Sequence, residues 1–451
     1  MRTLDVHAPP RPWRGTWIAL TLAWAAAACG PPRHAGYLEV AAEVERRSGH
    51  DIAPPTDDAG VPPPTIAFED GLTDDEAVAL ALWRSPGFRD LLVDLDLARA
   101  AVVQAGLLAN PSVAVLFPLG PKQLEFALRV PFEALWLRPQ RLAAARADDA
   151  GTIDRLVQGA LDLVRDVRVA CADLRLARDR AATLDDLARG ADTIAEISSA
   201  RQRAGDTSEL EVASARANAV LAAEEQSRAA RDADVARIRL ATLLGLGSGE
   251  ALTLGPPAPL ASAVLPLDRL VQEALAGRPD LHAAEHAIRA AEERSGLSRR
   301  AVLTVAGIAD ANGKGARGFE MGPGVDVAIP VFDWNQGNVA RADAELLRAV
   351  RREAALRERI RMEVADAYAR TERARAQLAL LAGGAVPEME RAVQAAEGAL
   401  RSGEVSYLFV LETSSQWLRA RVRALDGVAE LARAQAELER SVGVQLASLP
   451  A

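Results

Sequence analysis

The chain is written twice, and that repetition limits its fold more than any other feature. Residues 72–91 (LTDDEAVALALWRSPGFRDL) run parallel to residues 267–281 (LDRLVQEALAGRPDL), with Pro86 opposite Pro279 and Leu82 opposite Leu275. Val130-Pro131-Phe132 recurs as Ile329-Pro330-Val331-Phe332, and RAGDTSELEVASARA around Gly205 recurs as RSGEVSYLFVLETSS around Gly403. Leu244-Gly245 closes the first copy and Val442-Gly443 the second, and the offset stays between 193 and 199 throughout. One duplication with small loop changes accounts for this. The organisation expected is a leader over 1–28, a tail over 29–71, a first repeat over 72–255, a Pro-rich linker over 256–266 and a second repeat over 267–451.

Each copy reads as a helix, two short strands and two long helices. No proline occurs between Gln140 and Gly255. In that interval Ile153, Leu156, Ala160, Leu163, Val167, Ala170 and Leu174 recur at alternating steps of three and four. That is a heptad seam, which favours a left-handed supercoil against neighbouring helices. Charged residues such as Arg155, Asp162, Arg165 and Asp173 are expected on the other faces. A continuous helix from residue 137 to 204 would be roughly 100 Å long at 1.5 Å per residue. No single globular core needs a helix of that length, whereas a tube wall does. Gly205 and Gly403 each end a long helix, and Thr207 or Ser406 is placed to cap the next one, so both glycines read as hairpin tips. Gly383-Gly384 and Pro387, with Gly190 near the matching place in the first copy, predict a shared bend.

The strands are short and two-faced. In residues 123–130, Leu124, Phe126, Leu128 and Val130 alternate with Gln123, Glu125, Ala127 and Arg129. In the second copy Val325, Val327 and Ile329 alternate with Asp326 and Ala328. A barrel with lipid outside and water inside shows this pattern, as does a half-buried soluble sheet. Four strands cannot close a barrel, so a barrel requires several subunits.

The N-terminus reads as an export signal, with Arg2, Arg11 and Arg14 ahead of an apolar run over 17–28 that is too short to span a bilayer. Ala26-Ala27-Ala28-Cys29-Gly30 resembles a bacterial lipobox, with Ala in place of the usual Leu. Cys29 is thus the expected acylation site, the alternative being ordinary cleavage near Ala28. Cys171, on an apolar helix face, is expected in the core, and no disulfide framework is available. The net charge of -9 and the absence of a basic stripe with interleaved aromatics exclude a nucleic-acid partner.

In their order, these landmarks resemble the TolC family of outer-membrane efflux proteins over essentially the whole mature chain. The pieces that carry the resemblance are RSPGFRDL and GRPDL, LLANPSV, IPVFDWNQGNVARADAE, the two glycine-centred tips and the LLG that ends the first repeat. The resemblance implies a mostly α chain with a small β part, three copies of which share one twelve-stranded barrel above a periplasmic helical tunnel. It also implies docking to a periplasmic adaptor and an inner-membrane RND-type pump. Residues 40–52, IPVFDWNQG and GEVSYLFVLE are most similar to the heavy-metal cation efflux branch. Counted from the tip glycines, Glu211 and Glu412 match positions whose carboxylates constrict the family's periplasmic entrance. The family's gating Arg is Val405 here and one carboxylate position is Phe409, so Phe409 is expected to help close the entrance by packing.

No enzyme and no cofactor is expected. His282-Ala-Ala-Glu285-His286 matches an inverted zinc-protease pattern, but the first copy has nothing similar at the corresponding place, and a polar helix face is the simpler reading. Gly313-Lys314-Gly315-Ala316-Arg317-Gly318 lacks P-loop spacing and lies between strands, which suits a hairpin loop. Other classes considered are a periplasmic adaptor lipoprotein, which would carry one hairpin between β-rich halves, and a pore-less extracytoplasmic coiled-coil scaffold.

Overall fold

The computed structural model describes residues 35–52, 71–117, 125–247, 252–257, 265–313, 319–402 and 404–449. Cys29, Gly403 and the loop over 314–318 lie outside them.

The helix expected at the head of each repeat is two helices, cut by its proline. In the first repeat α2 (Asp74–Arg84) starts on a capping box between Thr73 and Glu76 and stops at Ser85, and α3 (Pro86–Gly106) follows. In the second, α6 (Leu267–Gly277) stops at Arg278 and α7 (Pro279–Arg300) follows. Proline disfavours helical geometry in the residue before it, and Ser85 and Arg278 both take extended ψ values of 120° and 128°. The proline then fits the first turn of the next helix, where no N–H is needed.

The tail is also more structured than expected. Helix α1 (Ala35–Ser48) buries Val40 and Val44 against the first repeat. Its Arg47 is 4% exposed and donates to the carbonyl of Gly443, which ties the head of the chain to the end of the second repeat.

The long helix is present. Helix α4 (Glu133–Ala204) is continuous over 72 residues, about 110 Å at 1.5 Å per residue. Leu156, Ala160, Val167, Ala170 and Leu174 of the heptad seam are buried, with Ile153 and Leu163 partly buried beside them. Cys171 lies in the same core, where burial pushes its thiol pKa up. Helix α5 (Glu209–Leu243) returns along α4, and the two form the first hairpin.

The second hairpin differs. Helix α8 (Gln336–Leu380) passes through a π turn (Leu381–Ala385) into α9 (Val386–Ser402), and α10 (Tyr407–Val442) returns along them. The interruption at Gly383-Gly384 is therefore real, but it is not shared: Gly190 sits inside uninterrupted α4. A glycine alone does not break a helix whose two neighbouring turns remain packed.

The charged faces of α4 are not simply solvated. Asp162 pairs with Arg440 at 2.7 Å, Arg165 with Glu437 at 2.9 Å, and Asp173 with Arg433 at 2.5 Å. Arg168 pairs with Glu439 in the same ladder, which joins the two hairpins along α4 and α10.

Strands β1 (Ser112–Leu116), β2 (Glu125–Pro131), β3 (Thr304–Gly313) and β4 (Phe319–Ala328) form one antiparallel sheet in sequence order. The repeats meet at β2 and β3, and β1 and β4 are the edges. Below the sheet, α4 packs on α3 and α7, and α8 packs on α7. Toward the tips, α4 packs on α5 and α10, and α10 packs on α9.

Candidate functional site: sheet faces and hairpin tips

The register sorts the sheet by chemistry. One face carries Val113 and Val115, then Phe126, Leu128 and Val130, then Val305, Gly307, Ala309 and Ala311, then Met321, Pro323, Val325 and Val327. The other face carries Glu125 and Arg129 of β2, Asp310 of β3, and Glu320 and Asp326 of β4. Arg129 and Asp326 pair at 2.6 Å, leaving an acidic surplus on that face. The apolar face is open: Val113 is 64% exposed and Met321 79%. Pairing within the chain leaves an apolar surface of this size with no protein to cover it.

Where the sheet gives way to helices, Phe132, Trp136, Phe332 and Trp334 are all exposed. Rings at this level match the aromatic girdle of outer-membrane barrels. The sequence reading missed that girdle because aromatics are rare and scattered along the chain. Their common level appears only when the strand ends are aligned. No described helix is long and apolar enough to cross a membrane.

The first tip is a helix stop followed by a cap. Gly205 has φ +85°, the left-handed conformation that glycine adopts without a Cβ penalty. Asp206 N–H donates to the carbonyl of Arg201 at 2.9 Å and closes the end of α4. The capping residue is Ser208 rather than Thr207: Ser208 Oγ accepts from Glu211 N–H at 3.3 Å. Thr207 instead donates its hydroxyl to the Glu211 carboxylate. At the second tip Ser406 caps as expected, accepting from Phe409 N–H at 3.3 Å.

Glu211 and Phe409 therefore occupy equivalent positions, three residues after the caps of α5 and α10. A groove between the tips is lined by Ile194, Ile197 and Arg201 of α4, Glu211 of α5, and Leu408 and Leu411 of α10. Phe409 and Glu412 do not line this groove. They lie three residues apart on an exposed face of α10, Phe409 being 51% exposed. The structure thus splits the three aperture candidates, placing Glu211 between the hairpins and Phe409 with Glu412 on one outer face.

Near the middle of the molecule a cavity of about 900 Å³ opens between α4 and α10. Its charges are paired with one another: Arg175 with Asp74 at 2.6 Å, His50 with Asp75 at 3.6 Å, and Arg168 with Glu439.

The inverted zinc-protease pattern does not assemble. Glu285 pairs with Arg357 at 2.9 Å, the His282 ring contacts the carbonyl of Ala276 at 3.2 Å, and His286 faces Asp154 at 3.5 Å. Burial, with Arg289 and His282 nearby, lowers the His286 pKa and favours the neutral ring. No cluster able to hold a metal ion occurs among the described residues.

Two long hairpins hung from a sheet with one apolar and one acidic face define a subunit of a TolC-type outer-membrane duct. Residues 270–444 match the family described as outer membrane efflux protein. The chain is a TolC-family outer-membrane efflux protein. It is 26% identical over 386 residues to the cobalt-zinc-cadmium resistance protein CzcC of Cupriavidus metallidurans, spanning 82% of this chain and 90% of that protein. Its fold is similar to that of the Campylobacter jejuni CmeC outer membrane channel, with TM-score 0.70 and 16% identity over 82% of this chain and 85% of that one. It is similar also to the open state of the Neisseria gonorrhoeae MtrE outer membrane channel, with TM-score 0.66 and 18% identity over 88% of this chain and 98% of that one.

Proposed function

We propose that three copies of this chain close their sheets into one twelve-stranded barrel and form a passive duct. In this reading a periplasmic adaptor docks at the tips around Gly205 and Gly403, and an inner-membrane RND-type pump supplies cargo and energy. The chain itself is no enzyme. The observation that carries the reading is the sheet, whose apolar face is exposed and whose edges β1 and β4 are both free to pair with another copy. An isolated open edge is a template for pairing, and closing the ring removes it. The residue 72 and residue 267 boundaries divide the chain into two repeats, each giving two strands and one hairpin.

The cargo proposed is a divalent heavy-metal cation. Similarity to a cobalt-zinc-cadmium resistance protein supports this, as does the acidic surplus on the polar sheet face. Carboxylates in a confined aqueous path raise the local cation concentration. Glu412, on the same face as Phe409, is proposed to line the periplasmic entrance, with Phe409 closing it by packing and Glu211 bracing the tip. In planar bilayers, Glu412→Gln should reduce the preference for cations over anions and weaken block by multivalent cations. Wild-type reversal potentials and block in that variant would remove Glu412 from the lumen.

Cys29 is proposed to carry lipid after removal of residues 1–28. Metabolic labelling should then mark the wild-type chain and not Cys29→Ala, while the variant still inserts through its barrel. An unlabelled wild-type chain would dismiss the anchor.

A further inference from the structure

The duplication turns a contact seen inside the chain into a guide to one that a single chain cannot make. Helix α4 of the first repeat packs on α7 of the second. At that seam Gly151 lies against Ala283 and His286, Asp148 pairs with Arg294, and Asp154 faces His286. By the Pro86–Pro279 offset of 193, Ala283, His286 and Arg294 of α7 correspond to Asp90, Val93 and Ala101 of α3. By the Pro131–Pro330 offset of 199, Asp148 and Gly151 of α4 correspond to Leu347 and Val350 of α8. All five counterparts are exposed, on the two outer flanks of the subunit.

Both flanks carry the spacing of a helix seam. Asp90, Asp94, Leu97, Ala101 and Gln104 follow one another on α3 at steps of four and three, all exposed. Ala340, Ala344, Leu347 and Arg351 do the same on α8. The charges on the flanks are complementary. Asp90, Asp94 and Asp96 stand on α3, and Arg348, Arg351 and Arg352 stand on α8. None of the six has an ion-pair partner among the described residues.

The sign of the charge is reversed between the two seams. Inside the chain the long helix α4 supplies the acids and α7 the bases. At the flanks α3 supplies the acids, and the long helix α8 supplies the bases. We propose that α3 of one copy docks on α8 of the next in the register of the internal seam, and that the reversed polarity fixes which flank meets which. Were α3 to take the place of α7 on another copy's α4, Asp90 would approach Asp148 and Asp154. Were α7 to meet α8, Arg294 would approach Arg348 and Arg351. Like charges brought together at a seam are destabilising, so each wrong closure is opposed. This inference rests on the three-copy reading above and adds its interface and its pairing rule.

The test uses the full chain in mild detergent and in outer-membrane vesicles. Val93→Cys combined with Val350→Cys should give covalent oligomers of up to three chains on oxidation, and neither single variant should. Arg348→Glu with Arg351→Glu should lower the trimer fraction at least tenfold, and adding Asp90→Lys with Asp94→Lys should restore it. If wild type is trimeric while the double-cysteine chain stays uncrosslinked, or the charge-reversed chain assembles normally, the seam is wrong and the duct stands. A monomeric wild-type chain overturns both.

Discussion

Replacing Glu363 by alanine is expected to destabilise the folded chain by about 3 kcal/mol, the cost of stranding buried ions whose partner is gone. Three arginines converge on this carboxylate: Arg278 at 2.7 Å, Arg440 at 3.0 Å and Arg359 at 2.7 Å. Arg278 is 1% exposed and also donates to the carbonyl of Ser441, and Arg440 continues to Asp162 on α4. The network thus ties the α6–α7 break, α8, α10 and α4 together. The largest loss should appear as a lower thermal midpoint, with the unfolding followed by helical circular dichroism. A midpoint unchanged in Glu363→Ala would show that water already solvates these guanidiniums.

The same carboxylate gives a pH signature. Burial alone would raise its pKa, but the Arg278 hydrogen bond and charge, with Arg359 and Arg440, hold it below the usual carboxylate range. A depressed folded pKa means the stabilisation is fully present above the unfolded value of about 4.3 and is lost as pH falls through the folded value. Glu363→Gln should therefore narrow its stability gap to wild type as the medium is acidified through that window. A gap independent of pH would mean that the ion pairs do not carry the effect.

Gly245→Ala is expected to be comparably damaging, at about 3 kcal/mol. Gly245 ends α5 with φ +66°, where a side chain costs about 1–2 kcal/mol. A Cβ there would also stand 2.5 Å from the carbonyl oxygen of Arg84 and 3.0 Å from its carbonyl carbon. Those are backbone atoms at the end of α2, so relief requires moving the two repeat-one elements apart. Gly296→Ala is the control. It lies in α7 with nothing within 4 Å of its Cβ position, and should be neutral or stabilise by about 0.5–1 kcal/mol. Equal thermal midpoints for the two variants would refute the close-approach argument.

What could be read in the sequence followed distance along the chain. The heptad seam of α4, the two-faced strands and the glycine stop at Gly205 depend on neighbours a few residues apart, and all are present. The ladder of Asp162, Arg165 and Asp173 was read as solvated because its partners lie more than 250 residues away on α10. Arg278 was visible only as part of GRPDL. Its burial depends on α8 and α10 closing over a break that the proline creates. The Thr207 and Ser208 alternatives differ by one backbone step, which composition cannot distinguish. Aperture residues counted from the tip glycines came out on two surfaces because α5 and α10 face each other across a groove.

The π turn at Leu381–Ala385 has a consequence for symmetry. Near the sheet, two repeats per chain give three copies six nearly equivalent helix pairs, and the spacing around the axis approaches six-fold. The first repeat then runs straight to its tip through 72 unbroken residues, while the second is rotated out of phase by its wider turn. Equivalence between the repeats ends at that level, and the far end of the tube alternates between two kinds of hairpin. A partner that ignores the alternation meets six tips there, whereas one that reads it meets three.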